Sequence, residues 1–222
     1  MPAYEYPGGR VWDAVPALPP GSIVVFDPAD GPGDALDPTY VTAVAGLRSA
    51  GIEVFGYVTA GYGKRSTEEM IGEVERHERW YGPAGIFLDQ TPPAATADRA
   101  IVAAIEHVRA KRLRLAINPG QPDIDPEDAQ VADHVVNFEG PLAAYRRARF
   151  PVWTADLPPE RLWHLVHGVG DVPSLRTVLT DAVRHRAGVV FVTDATMPNP
   201  WGTLPAYWED ELRLVGRRAA GG

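Results

Sequence analysis

Eight short apolar runs punctuate this chain, and most are separated by stretches that carry helix signals. They are Ala3–Tyr6, Ser22–Asp27, Glu53–Thr59, Gly85–Asp89, Leu113–Asn118, His134–Glu139, Arg161–His167 and Gly188–Asp194. Strand–helix alternation of this kind restricts the fold to the α/β class with a mainly parallel sheet. Eight strands alternating with helices in just over 200 residues predict a compact, single (β/α)8 TIM-type barrel. The rival, an open doubly wound sheet, calls for a glycine-rich phosphate loop after the first strand. The sequence there is Pro7-Gly8-Gly9-Arg10, which is not one.

Local signals set the helices between these runs. Asp37-Pro38 reads as an N-cap with proline at the first helical position, opening a helix that runs to Gly51. Ser66-Thr-Glu-Glu69 has capping-box spacing and opens a helix to about Tyr81. Further helices are expected from Thr96 to about Lys111, after Asp125-Pro126, over Leu142–Arg149, from Pro173 to about Ala187, and over Ala206–Arg217. No linker, internal repeat or low-complexity tract divides the chain. One barrel over residues 1–217 is therefore expected, with Arg218–Gly222 as a frayed tail.

Composition narrows the function. With 222 residues, 45% of them hydrophobic, the chain can bury a full core. The absence of cysteine excludes disulfides and thiolate metal sites. A net charge of −8 argues against general nucleic-acid binding and favours a cationic ligand. No run is long and apolar enough for a membrane span. Met1–Pro7 has neither the basic start nor the apolar core of a signal peptide: the chain reads as cytoplasmic as written, or as secreted if a leader has been trimmed.

The strand ends carry the chemistry. The even-numbered runs end in Asp27, Asp89, Glu139 and Asp194, and the odd-numbered ones in Tyr6, Tyr57 or Thr59, Asn118 and His167. In a barrel these positions surround the active-site mouth, and side chains of one layer come from alternate strands. Regular alternation places Phe87 and Asp89 on one face of the fourth strand, and Val135, Asn137 and Glu139 on one face of the sixth. Asp89 and Glu139 then meet at the centre, the minimum equipment for cleaving a glycosidic bond. Tyr6, Tyr57 and Tyr62 lie at or just beyond strand ends and suit a sugar platform, whereas Tyr4, Trp80, Trp153 and Trp201 read more readily as core. Asn118 and His167 are expected in the site, while His77, His107 and His185 fall on helices and are expected to be solvated. Each terminal acid has a plainer reading as a loop or helix cap, Asp27 beside Pro28 and Asp194 in particular. The acid ring also suits a hard cation, though no His-x-His or Asp-x-Asp-x-Asp spacing supports one.

These segments together resemble the spherulation-specific family 4 (spherulin-4-like) proteins. The resemblance runs through Tyr4-Glu-Tyr-Pro7-Gly8, Asp27-Pro28 with Gly31-Pro-Gly33, and Gly51-Ile-Glu-Val-Phe-Gly56-Tyr57-Val-Thr59. It continues through Tyr62-Gly-Lys-Arg65, Trp80-Tyr81, Gly85-Ile-Phe-Leu-Asp89, Asn118-Pro-Gly120, Asn137-Phe-Glu139 and Thr193-Asp194, in order over nearly the whole chain. It implies a (β/α)8 glycoside hydrolase related to enzymes that degrade microbial exopolysaccharide. Such relatives cleave α-1,4-linked N-acetylgalactosamine or galactosamine polymers, galactosaminogalactan among them, in an endo fashion. By that analogy Asp89 is the nucleophile or charge stabiliser and Glu139 the general acid/base, with retention. One departure is that the family often carries Asp-Glu at the end of the fourth strand, where this chain has Asp89-Gln90.

The sequence thus favours a cofactor-free, monomeric glycosidase acting on a polysaccharide or oligosaccharide. Asp89 and Glu139 are the carboxylate pair, with Tyr6, Asp27, Tyr57, Tyr62, Gln90, Asn118, His167 and Asp194 around the sugar. A non-catalytic carbohydrate-binding barrel, prompted by Gln90, is the first alternative. A metal-assisted hydrolase using the acid ring is the second.

Overall fold

The computed structural model describes residues 1–219. It holds eight parallel strands hydrogen-bonded in chain order, each followed by a helix. The order is β1 (Pro2–Ala3), α1 (Arg10–Ala14), β2 (Ile23–Phe26), α2 (Pro38–Ser49), β3 (Glu53–Thr59), α3 (Thr67–Tyr81), β4 (Gly85–Asp89) and α4 (Arg99–Ala110). It continues β5 (Arg114–Ile117), α5 (Pro126–Val131), β6 (His134–Pro141), α6 (Leu142–Tyr145), β7 (Leu162–His167), α7 (Val172–Arg184), β8 (Val189–Val192) and α8 (Trp208–Ala219). This is the expected (β/α)8 arrangement. Among the described residues no helix is long and apolar enough to cross a membrane.

The sequence signals that place the helices act as side-chain caps. Asp37 accepts the Thr39 N–H, Ser66 and Glu69 form the reciprocal capping box, and Asp125 caps α5; α7, expected from Pro173, starts at Val172 with Asp171 as its cap. The helix expected from Thr96 starts later. Thr96 sits in a 3-10 turn with its hydroxyl bonded to Asp128, and Asp98 caps α4 instead. The helix expected over Leu142–Arg149 stops at Tyr145. Arg218 and Ala219, expected to fray, continue α8, and the rest of that tail lies outside the described residues.

Strand alternation sorts side chains between the barrel interior and the helix layer. Phe55, Phe87, Ala116, Val136, Trp163, Leu165 and Phe191 share the interior cluster. Ile86, Leu88, Leu115, Ile117 and Val135 pack outward, with Met70 and Val74 of α3 and Ile101 and Ile105 of α4. Trp163 plugs the middle, stacked on Phe87 and tilted against Phe55 and His134.

β6 departs from the expected alternation. Val136 pairs with Trp163 but Phe138 pairs with the next residue, His164, so Asn137 forms a β-bulge. Val136 therefore points inward and Val135 outward, the reverse of the regular pattern. Beyond the bulge Phe138 packs outward against Tyr145, and Glu139 turns inward. His77, expected to be solvated, is buried under β3, where its Nε2–H donates to the Tyr57 carbonyl at 2.8 Å. Gly56 makes the room, since a Cβ there would fall 2.6 Å from the imidazole.

Among the described residues no ladder joins β8 to β1. α8 covers the seam: Trp208 packs in the cluster that contains Ala3 and Phe191, and buried Glu211 accepts the Val192 N–H at 2.9 Å. Burial pushes the Glu211 carboxyl from its ordinary 4.5 up to about 8, against the pull of the Val192 N–H. The folded chain thus holds this proton more tightly than the unfolded one. The resulting stability is fully present below about pH 4.5 and is lost as pH rises toward about 8. Glu211→Gln keeps the acceptor oxygen and removes the charge. The stability of wild type relative to this variant, measured by urea unfolding, is expected to fall across that window, and a pH-independent difference would reject the assignment.

Candidate active site

Three adjacent strands deliver the central groups. The β3–β4 register sets Asp89 level with Thr59 at the top of β4. Asn118, one residue beyond β5, is held by its N–H to the Leu88 carbonyl and by the Thr91 N–H to its own carbonyl. Glu139 follows the bulge on β6.

Asn118 joins the two acids. Its side-chain nitrogen donates to Asp89 Oδ1 and to Glu139 Oε2, each at 2.6 Å. The nearest oxygens of the two carboxylates therefore lie no further apart than twice that length. The remaining oxygens are also occupied: Tyr57 donates its hydroxyl to Asp89 Oδ2 at 2.8 Å, and Trp201 donates its indole N–H to Glu139 Oε1 at 3.0 Å. The amide orientation of Asn118 follows from this pairing, because only its NH2 can satisfy two acceptors.

Burial raises the pKa of both acids. Asp89 is pulled back by hydrogen bonds from Tyr57, the Gln90 N–H and Asn118. Glu139 is pushed up first by burial and then by the charge of Asp89, with Asn118 and Trp201 opposing. Repulsion between the two is mutual, but three donors support the ionised form of Asp89 and only two that of Glu139, so the pair holds a proton more readily on Glu139. The Tyr57 hydroxyl stays protonated and donating, since burial and the adjacent Asp89 both push its pKa upward.

The pair opens into a cleft of about 860 Å³. Tyr4 forms one wall, edge-on to Tyr57 with ring centroids 5.7 Å apart. Tyr62 stands at the rim, 64% exposed, on a turn fixed by its N–H to the Gln90 carbonyl. Gln90 adopts a left-handed backbone (φ 51°) and accepts the Thr59 hydroxyl through Oε1. The segment Met197–Trp201, between β8 and α8, makes a further stretch of wall.

Seven of the ten residues singled out from the sequence line this cleft: Asp27, Tyr57, Tyr62, Asp89, Gln90, Asn118 and Glu139. Three lie elsewhere. β1 ends at Ala3, not at Tyr6, so Tyr6 reaches the start of α2, where its hydroxyl donates to the Asp37 carboxylate and lies 3.0 Å from the Thr39 hydroxyl. Asp194 follows inward-facing Thr193, so its carboxylate turns away and accepts the Ala206 N–H in a separate depression beside Arg10 and Asp13. His167 is buried behind the wall, edge-on to Trp201 at 5.8 Å. Conversely, Tyr4 and Trp201, read from the sequence as core, line the cleft together with Asp30. The position of Trp201 in the long segment after the last strand was the available signal, because such loops build the barrel mouth. Among the described residues no group of three or more His, Asp or Glu side chains is placed to hold a metal ion, so the acid ring does not assemble as one.

The fold and the sequence have counterparts among known proteins. Spherulin-4 of Physarum polycephalum is 32% identical over 233 residues, spanning 97% of this chain and 69% of that protein. Sph3 of Aspergillus clavatus, solved in complex with GalNAc, superposes with a TM-score of 0.80 at 23% identity, covering 96% of this chain and 94% of Sph3. A chitinase from Rhizomucor miehei aligns over 96% of this chain and 99% of its own, with a TM-score of 0.57 and 15% identity. The profile of the spherulation-specific family 4 matches residues 1–215, and the chain belongs to that family.

Proposed function

We propose that this protein is a retaining glycoside hydrolase that cleaves internal bonds of an α-1,4-linked N-acetylgalactosamine or galactosamine polymer. The observation that carries the reading is the single amide nitrogen shared by Asp89 and Glu139. Two 2.6 Å bonds to one atom keep the acids within the spacing of about 5–5.5 Å used for retention, and short of the roughly 6.5–9.5 Å that inversion needs to admit a water. Glu139, the more readily protonated partner, would give its proton to the departing glycosidic oxygen. Asp89, held ionised by Tyr57 and Asn118, would attack the anomeric carbon. Glu139 would then take a proton from the water that releases the sugar. Tyr4, Tyr62 and Trp201 offer aromatic surface for the pyranose rings. The choice of sugar and the endo action rest on family membership and on the GalNAc complex of Sph3.

Mass spectrometry of α-1,4-galactosamine oligomers, with and without N-acetyl groups, tests this reading. Shorter products whose new reducing ends keep the substrate's anomeric configuration by NMR are the expected result. Inverted products would overturn the assignment of Asp89 as nucleophile. Saturable binding without products would support the second reading, a sugar-binding barrel, for which Gln90 in place of a family acid is the motive.

A further inference from the structure

The cleft carries charge of one sign. Asp27 and Asp30 stand in its wall with Asp89 and Glu139, and among the described residues no lysine, arginine or histidine lines it. The contrast with Glu73, packed against Gly31 of the same loop, is informative: both Glu73 oxygens are gripped by the Arg65 guanidinium, at 2.7 and 2.9 Å. Asp27 has no such partner. Its Oδ1 accepts the Gly31 N–H at 2.7 Å, and among the described residues no ion pair reaches it. Burial pushes its pKa up to about 6 against the pull of that N–H, with Asp30, Asp89 and Glu73 adding repulsion.

A second polar group in the cleft also lacks a partner. Asn118 is 5% exposed, its NH2 is committed to the two acids, and its Oδ1 has no donor. That oxygen lies beside Gly120, another wall residue. A half-buried carboxylate among like charges and an orphaned acceptor both call for an occupant that brings hydrogen-bond donors and positive charge.

We infer that Asp27, assisted by Asp30, is a specificity-determining residue that receives the ammonium group of a free-amine hexosamine, so that the cleft selects de-N-acetylated stretches of its polymer. The inference rests on the glycosidase reading of the same cleft and deepens it. An acetamido group offers one N–H and no charge. An ammonium offers three donors and a full charge, and its bonds to a carboxylate are roughly twice as strong as neutral ones.

The test compares wild type, Asp27→Asn and Asp30→Asn on α-1,4-linked galactosamine oligomers and their fully N-acetylated forms. Two readouts are taken, kcat/KM for hydrolysis and Kd by calorimetry. Wild type is expected to prefer the free-amine oligomer, by a ratio that shrinks as salt is raised. In Asp27→Asn that ratio falls about tenfold, and exposed Asp30→Asn moves it in the same direction by less. Equal binding of the two oligomers by wild type, or an unchanged ratio in Asp27→Asn, overturns the inference. Preferential, Asp27-dependent binding of the free-amine oligomer without hydrolysis of either would remove the hydrolase reading and leave the amine selectivity standing.

Discussion

Glu139→Gln is expected to lower hydrolysis by about 10²–10⁴-fold, the range typical of losing a positioned general acid. Glutamine fills the same space on β6 but has no proton to give to a leaving oxygen. Asp89→Asn is expected to fall at least as far, since an amide at the end of β4 cannot supply the attacking electron pair. The pH–rate profile of wild type follows from the same pair. The rate needs Asp89 ionised and Glu139 protonated. It therefore falls as pH drops through the pKa of Asp89 and again as pH rises through that of Glu139. Both limbs are displaced upward from the ordinary carboxylate range, because burial raises both groups. The limbs belong to the coupled pair, since one Asn118 nitrogen touches both. Initial rates of wild type and both variants from acid to mildly alkaline pH make the measurement. Undiminished hydrolysis in both variants would sink the assignment.

Trp163→Ala is expected to destabilise the fold by about 3–5 kcal/mol, a large share of the roughly 5–15 kcal/mol available to a typical domain. The indole is 1% exposed and joins side chains from several strands: Phe87 stacked at 5.8 Å, Phe55 at 6.3 Å and His134 at 5.2 Å. Strand backbones cannot collapse inward to refill a barrel interior, so most of the cavity would persist. Trp163→Phe should cost less than Trp163→Ala, because the indole N–H has no hydrogen-bond partner to lose. Urea unfolding at an unchanged m-value measures both. A loss below about 1 kcal/mol in Trp163→Ala would show that the interior repacks around the gap.

Sequence reasoning was strongest where the signal is local and repeated. β3 and β4 span the expected residues, and the Asp37, Ser66 and Asp125 caps sit where their spacing puts them. It was weakest where the signal is too short or too distant. β1 has two residues and α1 five, too few to show a period, and the misjudged end of β1 carried Tyr6 out of the mouth. Trp201 meets Glu139 across 62 residues, and nothing local separates such a tryptophan from one buried in the core. Asp194 looked equivalent to the other strand-end acids until Thr193 took the inward position.

Position and identity are separable on β6. Val136 and Glu139 both face the interior although they lie three positions apart, an odd offset that regular pleating would send to opposite sides. The bulge at Asn137 absorbs the extra residue. Removing that one residue would leave Val136, Phe138 and Glu139 in regular alternation, with the carboxylate still at the mouth, whereas keeping Asn137 and pairing it regularly would turn Phe138 into the mouth and drive the carboxylate under α6. Whether one residue is left out of the ladder thus separates an acid in the cleft from an acid in the hydrophobic layer, with every side chain of the site unchanged in kind. Alignments of related barrels that count residues along this strand without counting the bulge would match the glutamate to the wrong face.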